Sequence, residues 1–174
     1  MTPTKSAYRR DGTRHDEDNE EGGGSDIFFN FMIKELRSII DINYRTNGEN
    51  ILFGHSFGGL FALNTFLHYT EAFDVYIAID PSLWWDNAKL AKDAASLIQT
   101  GQFQDKTLYI GVAGMMRPDR QYIHMDVMKQ FLENTLPNGR KLTYYSKIFP
   151  DENHGSIPVP GMIDAFRKIY GKNK

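Results

Sequence analysis

The chain has 174 residues, 41% hydrophobic and 24% charged, which is the balance of a single folded domain with a real core. Its net charge of -2 gives no electrostatic case for nucleic acid or an anionic membrane surface as a partner. Cysteine is absent, which excludes disulfides and thiolate metal sites, and no apolar run is long enough to span a bilayer. Met1 to Ser6 lacks the apolar segment of a signal peptide, and since a longer precursor could carry one the compartment stays unassigned.

Residues 1–25 are polar. Arg9-Arg10-Asp11-Gly12-Thr13-Arg14 precedes an acidic run and three glycines. Little of this can be buried, and it reads as a partly mobile loop ahead of a domain over 26–174. Ser25 is placed to cap a helix that runs to about Tyr44. Phe28, Met32, Leu36, Ile39 and Ile40 recur there at helical spacing and are expected to face inward, with Asp26 at the positive end of the dipole. Asn50 to Phe53 is a short apolar strand, and Gly59 to Leu67 has the apolar density of a buried helix. Asp74 to Asp80 is a second strand. A helix follows from Asn87 to about Thr100, with Leu90, Ala94, Leu97 and Ile98 inward and Gly101 as its stop. Lys106 to Val112 is a third strand, Asp119 to Leu136 a helix, Leu142 to Phe149 a fourth strand and Gly161 to Tyr170 a last helix. Strands alternating with helices predict right-handed crossovers, hence an α/β fold with a mostly parallel sheet covered on both faces.

Between the first strand and its helix stands Gly54-His55-Ser56-Phe57-Gly58. This reads as a nucleophile elbow. A serine hydroxyl is a weak nucleophile at neutral pH and needs an exposed position and a neighbouring base. A sharp strand-to-helix turn supplies the exposure. It also brings strand and helix together, so small residues are needed two positions to either side, at Gly54 and Gly58. Ser56 is therefore the candidate nucleophile. The backbone N–H of Phe57, at the start of the helix, is a candidate oxyanion donor. The second donor would come from a loop after an earlier strand, which this sequence does not contain.

The base must be a histidine beyond the carboxyl ends of the strands. His55 abuts the serine and should point elsewhere, His68 and His124 lie on helices, and His15 lies in the polar loop. His154 follows the last strand in the turn-rich Pro150-Asp151-Glu152-Asn153-His154-Gly155-Ser156 and is the expected base. The acid is open. Asp119 is the nearest carboxylate after the third strand and could hold the imidazole tautomer, but an Asp before a helical run is equally a cap. Asp80, at the end of the second strand, is the next candidate, and a Ser–His dyad is a further alternative.

These segments resemble the putative esterase family of α/β-hydrolases, which includes esterase D-like enzymes, siderophore esterases and feruloyl or acetyl-xylan esterases. Leu52 to Leu63 looks like the family's elbow. Ile79-Asp80-Pro81-Ser82-Leu83-Trp84-Trp85 resembles its "SPSLWW" segment, with Asp where Ser is usual, and Asp151 to Pro158 is similar to its histidine loop. The resemblance implies Ser56 as nucleophile and His154 as base, with Trp84 and Trp85 near the substrate pocket. Read from the residues alone, the two tryptophans could equally fill core beneath a loop. Family members carry several strands ahead of the helix near Ser25, so the resemblance implies a sheet incomplete at its N-terminal side.

The sequence therefore points to a serine hydrolase that cleaves carboxylic esters, on a small-molecule or glycan-linked ester, with no metal or cofactor implied. A non-catalytic α/β-hydrolase-like domain with a binding or assembly role, or an acyltransferase, is the alternative. An incomplete sheet would leave Asn50 to Phe53 near an exposed edge, through which the chain could form a homo-oligomer.

Overall fold

The structure, a computed structural model, describes residues 1–14, 21–100, 103–115 and 142–171. Four parallel strands form the sheet: β3 (Ile51–His55), β4 (Val75–Ile79), β5 (Thr107–Ala113) and β6 (Thr143–Phe149), in the order β3-β4-β5-β6. Two short antiparallel strands, β1 (Lys5–Ser6) and β2 (Glu21–Gly22), form a separate ribbon. All four main strands run one way, so their carboxyl ends gather Ser56, Asp80 and the loop after Phe149 on one rim.

Alternation along the strands sorts the core into two layers. Tyr76, Ala78, Leu108 and Ile110 face α3 (Phe57–His68) and α4 (Trp85–Thr100). Val75, Ile77, Ile79 and Tyr109 face α5 (Pro158–Tyr170), whose Ala165 is fully buried. Gly161 lies close enough to Ile79 that an added Cβ would stand 3.0 Å from it, which lets α5 sit tight on β4. Tyr109 donates from its hydroxyl to Asp164, and Lys147 pairs with the same carboxylate, tying α5 to β5 and β6.

The predicted elements lie close to the observed ones, with informative differences. The first helix comprises α1 (Ser25–Phe31), a π-helical turn (Met32–Leu36) and α2 (Arg37–Asn43). Ser25 does not cap it: Gly24, at φ 82°, occupies the cap position and Ser25 is the first helical residue. Phe28 and Met32 pack on the core as expected, whereas Leu36, Ile39 and Ile40 are 40%, 55% and 39% exposed. The reason is lateral position. These residues pass beside β3, which is the edge of the described sheet. Between this helix and the edge lies a cavity of about 330 Å³, lined by Met32, Leu36, Ile40, Ile51, Leu52 and Phe73 among others.

The fourth helix starts earlier than predicted, at Trp85, because Asp86, Asn87 and Ala88 form a left-handed turn before the regular run that buries Leu90, Ala94 and Ile98. The predicted helix over Asp119 to Leu136, and His15 and His124, lie outside the described residues. The polar N-terminal segment docks where it is described. Thr2 and Ser6 are buried, and the indole N–H of Trp85 donates to the Thr4 carbonyl at 3.0 Å. Among the described residues, no helix is long and apolar enough to cross a membrane.

Candidate active site

Ser56 stands between β3 and α3 with φ 59° and ψ −119°, a backbone conformation an L-residue adopts only under constraint. The constraints are visible. Its N–H donates to the Ile79 carbonyl at 3.0 Å, and its carbonyl accepts from the N–H groups of Leu60 at 2.9 Å and Ser82 at 3.1 Å. The turn is therefore fastened to the end of the neighbouring strand as well as to its own helix.

The glycines divide the work differently from the expected symmetric pattern. A Cβ on Gly54 would lie 2.0 Å from the Gly58 carbonyl oxygen, so no side chain fits there. On Gly58 a Cβ would meet nothing within 4 Å. The second tight position is Gly59, where a Cβ would approach the Ile79 carbonyl and Pro81 at 3.1 Å. Close packing thus demands glycine two before the serine and favours it three after.

His154 arrives from the other side of the rim. The Asn153 side-chain oxygen accepts from the N–H groups of Gly155 at 2.8 Å and Ser156 at 3.2 Å, a local turn that holds the loop. The Nε2 of His154 lies 3.0 Å from Ser56 Oγ, and its Nδ1 lies 2.6 Å from Asp80 Oδ2. Asp80 is 2% exposed at the end of β4, at φ 42°, and its other oxygen accepts the Ala113 N–H at 3.1 Å. Asp119 lies outside the described residues. Among the described residues, the carboxylate that reaches the imidazole is Asp80, the next candidate after Asp119 from the sequence. It gets there because β4 lies next to β3 in the sheet and a left-handed turn aims its side chain at the histidine loop.

The His55 side chain goes to the histidine loop. Its Nε2 lies 2.9 Å from the His154 carbonyl, where it can donate, and the two rings lie 4.5 Å apart. Burial, then the nearby His154, lowers the pKa of His55 and favours its neutral form. Sequence reasoning missed this contact, because alternation says only that His55 faces the opposite side from Gly54. Ser82 has no role in the sequence reading beyond its place in the Asp80-Pro81-Ser82 segment. It is buried, and its hydroxyl lies 3.2 Å from Ser56 Oγ.

Phe57, at the start of α3, is 38% exposed, and its N–H belongs to the first helical turn, which has no partner within the helix. Its ring meets Trp84 at 5.7 Å and Trp85 at 5.2 Å between centroids. Trp84 and Trp85 are both half-buried. Arg10 lies over the Trp84 ring at 5.4 Å, while Trp85 is pinned beneath the N-terminal segment. The pair thus fills space beneath the N-terminal segment and packs on Phe57, next to Ser56. Among the described residues, no cluster of three or more His, Asp or Glu side chains is arranged to hold a metal.

Comparison with known proteins adds to this geometry. The family model described as putative esterase matches residues 2–139, a span that includes Ser56 and Asp80 and stops before His154. The chain is similar to a siderophore enterobactin esterase of Emericella nidulans, at 29% identity, over 82% of this chain and 55% of that protein. It is similar to the ferri-bacillibactin esterase BesA of Bacillus subtilis, at 38% identity, over 41% of this chain and 25% of that protein. Among solved structures, an IroE-like serine hydrolase from Shewanella oneidensis superposes with a TM-score of 0.83 at 31% identity, covering 97% of this chain and 55% of that one. The fold is thus of the α/β-hydrolase type, and the chain spans about half the length of these relatives, or less.

Proposed function

The chain belongs to the putative esterase family, and from that premise we propose that it hydrolyses carboxylic esters through an acyl-enzyme on Ser56. The observation that carries this reading is the line Ser56 Oγ–His154 Nε2 at 3.0 Å and His154 Nδ1–Asp80 Oδ2 at 2.6 Å, drawn from separate strand ends. Ser56 gives its proton to His154 Nε2 as its oxygen bonds to the ester carbonyl carbon, and the carbonyl electron pair moves onto oxygen. The Phe57 N–H meets that negative charge. Asp80 holds the imidazole tautomer and offsets its charge. The tetrahedral species collapses, and the leaving alcohol takes the proton from His154. Water then repeats the cycle against the acyl-enzyme, with His154 again as base.

For the substrate, the names of the relatives support a siderophore ester. Phe57, Trp84 and Trp85 give an aromatic border on which flat acyl groups can lie. The test is labelling by a fluorophosphonate probe, together with hydrolysis of 4-nitrophenyl acetate and enterobactin. Wild-type chain labels and turns over ester. Ser56→Ala neither labels nor turns over above a rate several orders of magnitude lower. Labelling that survives the substitution, or a wild-type chain that does not label, overturns the proposal.

A further inference from the structure

The proton count at Ser56 leaves one hydroxyl without a role, that of Ser82. Asp80 accepts the Ala113 N–H on one oxygen and faces His154 Nδ1 with the other. An ionised carboxylate only accepts, so Nδ1 carries the hydrogen. For His154 to act as the base its Nε2 is the acceptor, and the single Ser56 hydrogen points there, at 3.0 Å. The contact between Ser56 Oγ and Ser82 Oγ, at 3.2 Å, can then run only one way. Ser82 donates and Ser56 accepts.

We propose that Ser82 is a further catalytic residue, whose buried hydroxyl donates to the oxygen of the nucleophile. This inference rests on Ser56 being that nucleophile. Its place in the fold suits the role. The Ser82 N–H also holds the Ser56 carbonyl, at 3.1 Å, so the backbone and side chain of one residue grip the turn at two points. Ser82 is 3% exposed, which keeps competing water from its hydroxyl. The donated bond fixes Oγ toward His154 before attack. It strengthens as Oγ gains negative charge while losing its proton, because hydrogen bonds to charged acceptors are stronger than those to neutral ones. It acts again when Oγ leaves the second tetrahedral species. Ser82 keeps its own proton throughout.

The experiment compares wild type, Ser56→Ala, Ser82→Ala and Ser82→Cys in fluorophosphonate labelling rate and in kcat and KM for 4-nitrophenyl acetate. Ser82→Ala is expected to slow labelling and kcat about tenfold, the scale of one hydrogen bond in a transition state, with KM unchanged. Ser82→Cys keeps the shape but offers only a weak donor, so it is expected to be slowed like alanine. A packing role would instead leave the cysteine variant close to wild type. Wild-type rates in Ser82→Ala, or full recovery in Ser82→Cys, overturn the inference while a dead Ser56→Ala leaves the proposed function standing. A wild type without labelling, or labelling of Ser56→Ala, overturns both.

Discussion

β3 and β4 lie side by side in parallel register, and each is followed directly by a residue of the proposed site, yet their surroundings differ sharply. All five residues of β4 are buried between helical layers. β3 is buried only at Leu52 and Gly54, its Phe53 is 38% exposed, and the helix beside it leaves Ile39 and Ile42 at 55% and 81%. The proposed nucleophile thus sits on the poorly covered strand and the proposed acid on the well-covered one. Ser56 nevertheless holds a strained backbone, because its turn is bonded to the Ile79 carbonyl and to Ser82 just beyond β4. Precision at the end of an edge strand is borrowed from the interior strand next to it.

The sharpest way to break that comparison is at the acid. Asp80→Asn should lower kcat about a thousandfold to ten-thousandfold with the fold intact, because an amide can stabilise the wrong imidazole tautomer. With Asp80 as the acid, Asp119→Asn should stay within about twofold. Steady-state ester hydrolysis by both variants decides it: the reverse ranking would take the acid away from β4.

At the turn, Gly54→Ala sets a Cβ against the rigid backbone of Gly58 and should cost about 3 kcal/mol, at the upper end of overpacking. Gly58→Ala meets open space inside a helix and should be neutral or stabilising by about 0.5–1 kcal/mol. Urea denaturation of the pair measures the asymmetry, and equal losses would mean the turn is not anchored as described.

Coverage itself is tested at Phe53. An exposed apolar edge strand can pair with a second copy, so wild type should show concentration-dependent association in light scattering. Phe53→Lys should reduce it while shifting stability by no more than about 0.5 kcal/mol. A wild type monomeric at high concentration would show that the edge is protected despite its exposure.

The smallest expected effect concerns pH. The pKa of His55 lies below its ordinary 6.5 in the folded chain, chiefly through burial. As pH falls through 6.5 the unfolded state takes up this proton before the folded state does, so the contribution of His55 to stability is full above that pH and declines below it. His55→Gln should flatten this component of the denaturation midpoint measured across that range. An unchanged profile would show that burial does not hold the ring neutral.

Much of this was legible in the chain. Across the described residues the apolar runs and their spacing gave the strand and helix order, because one buried face imposes a period of two or of 3.6 on any sequence that folds this way. Gly54 and Ser56 stood out because a strand-to-helix turn tolerates few residue types, and His154 because elimination left only one histidine beyond the last strand. Chain order could not choose among carboxylates. Asp80 reaches His154 through strand adjacency and a left-handed turn, and both arise only when the sheet assembles. The same holds for Gly59 against Pro81, for His55 on the His154 carbonyl and for Ser82 beside Ser56. These contacts join residues distant in sequence or on opposite strand faces, so local periodicity carries no record of them. Periodicity marked Ile39 and Ile40 as inward, and the sheet edge left them exposed, because a helix can bury an apolar face only against a neighbour that the tertiary structure supplies.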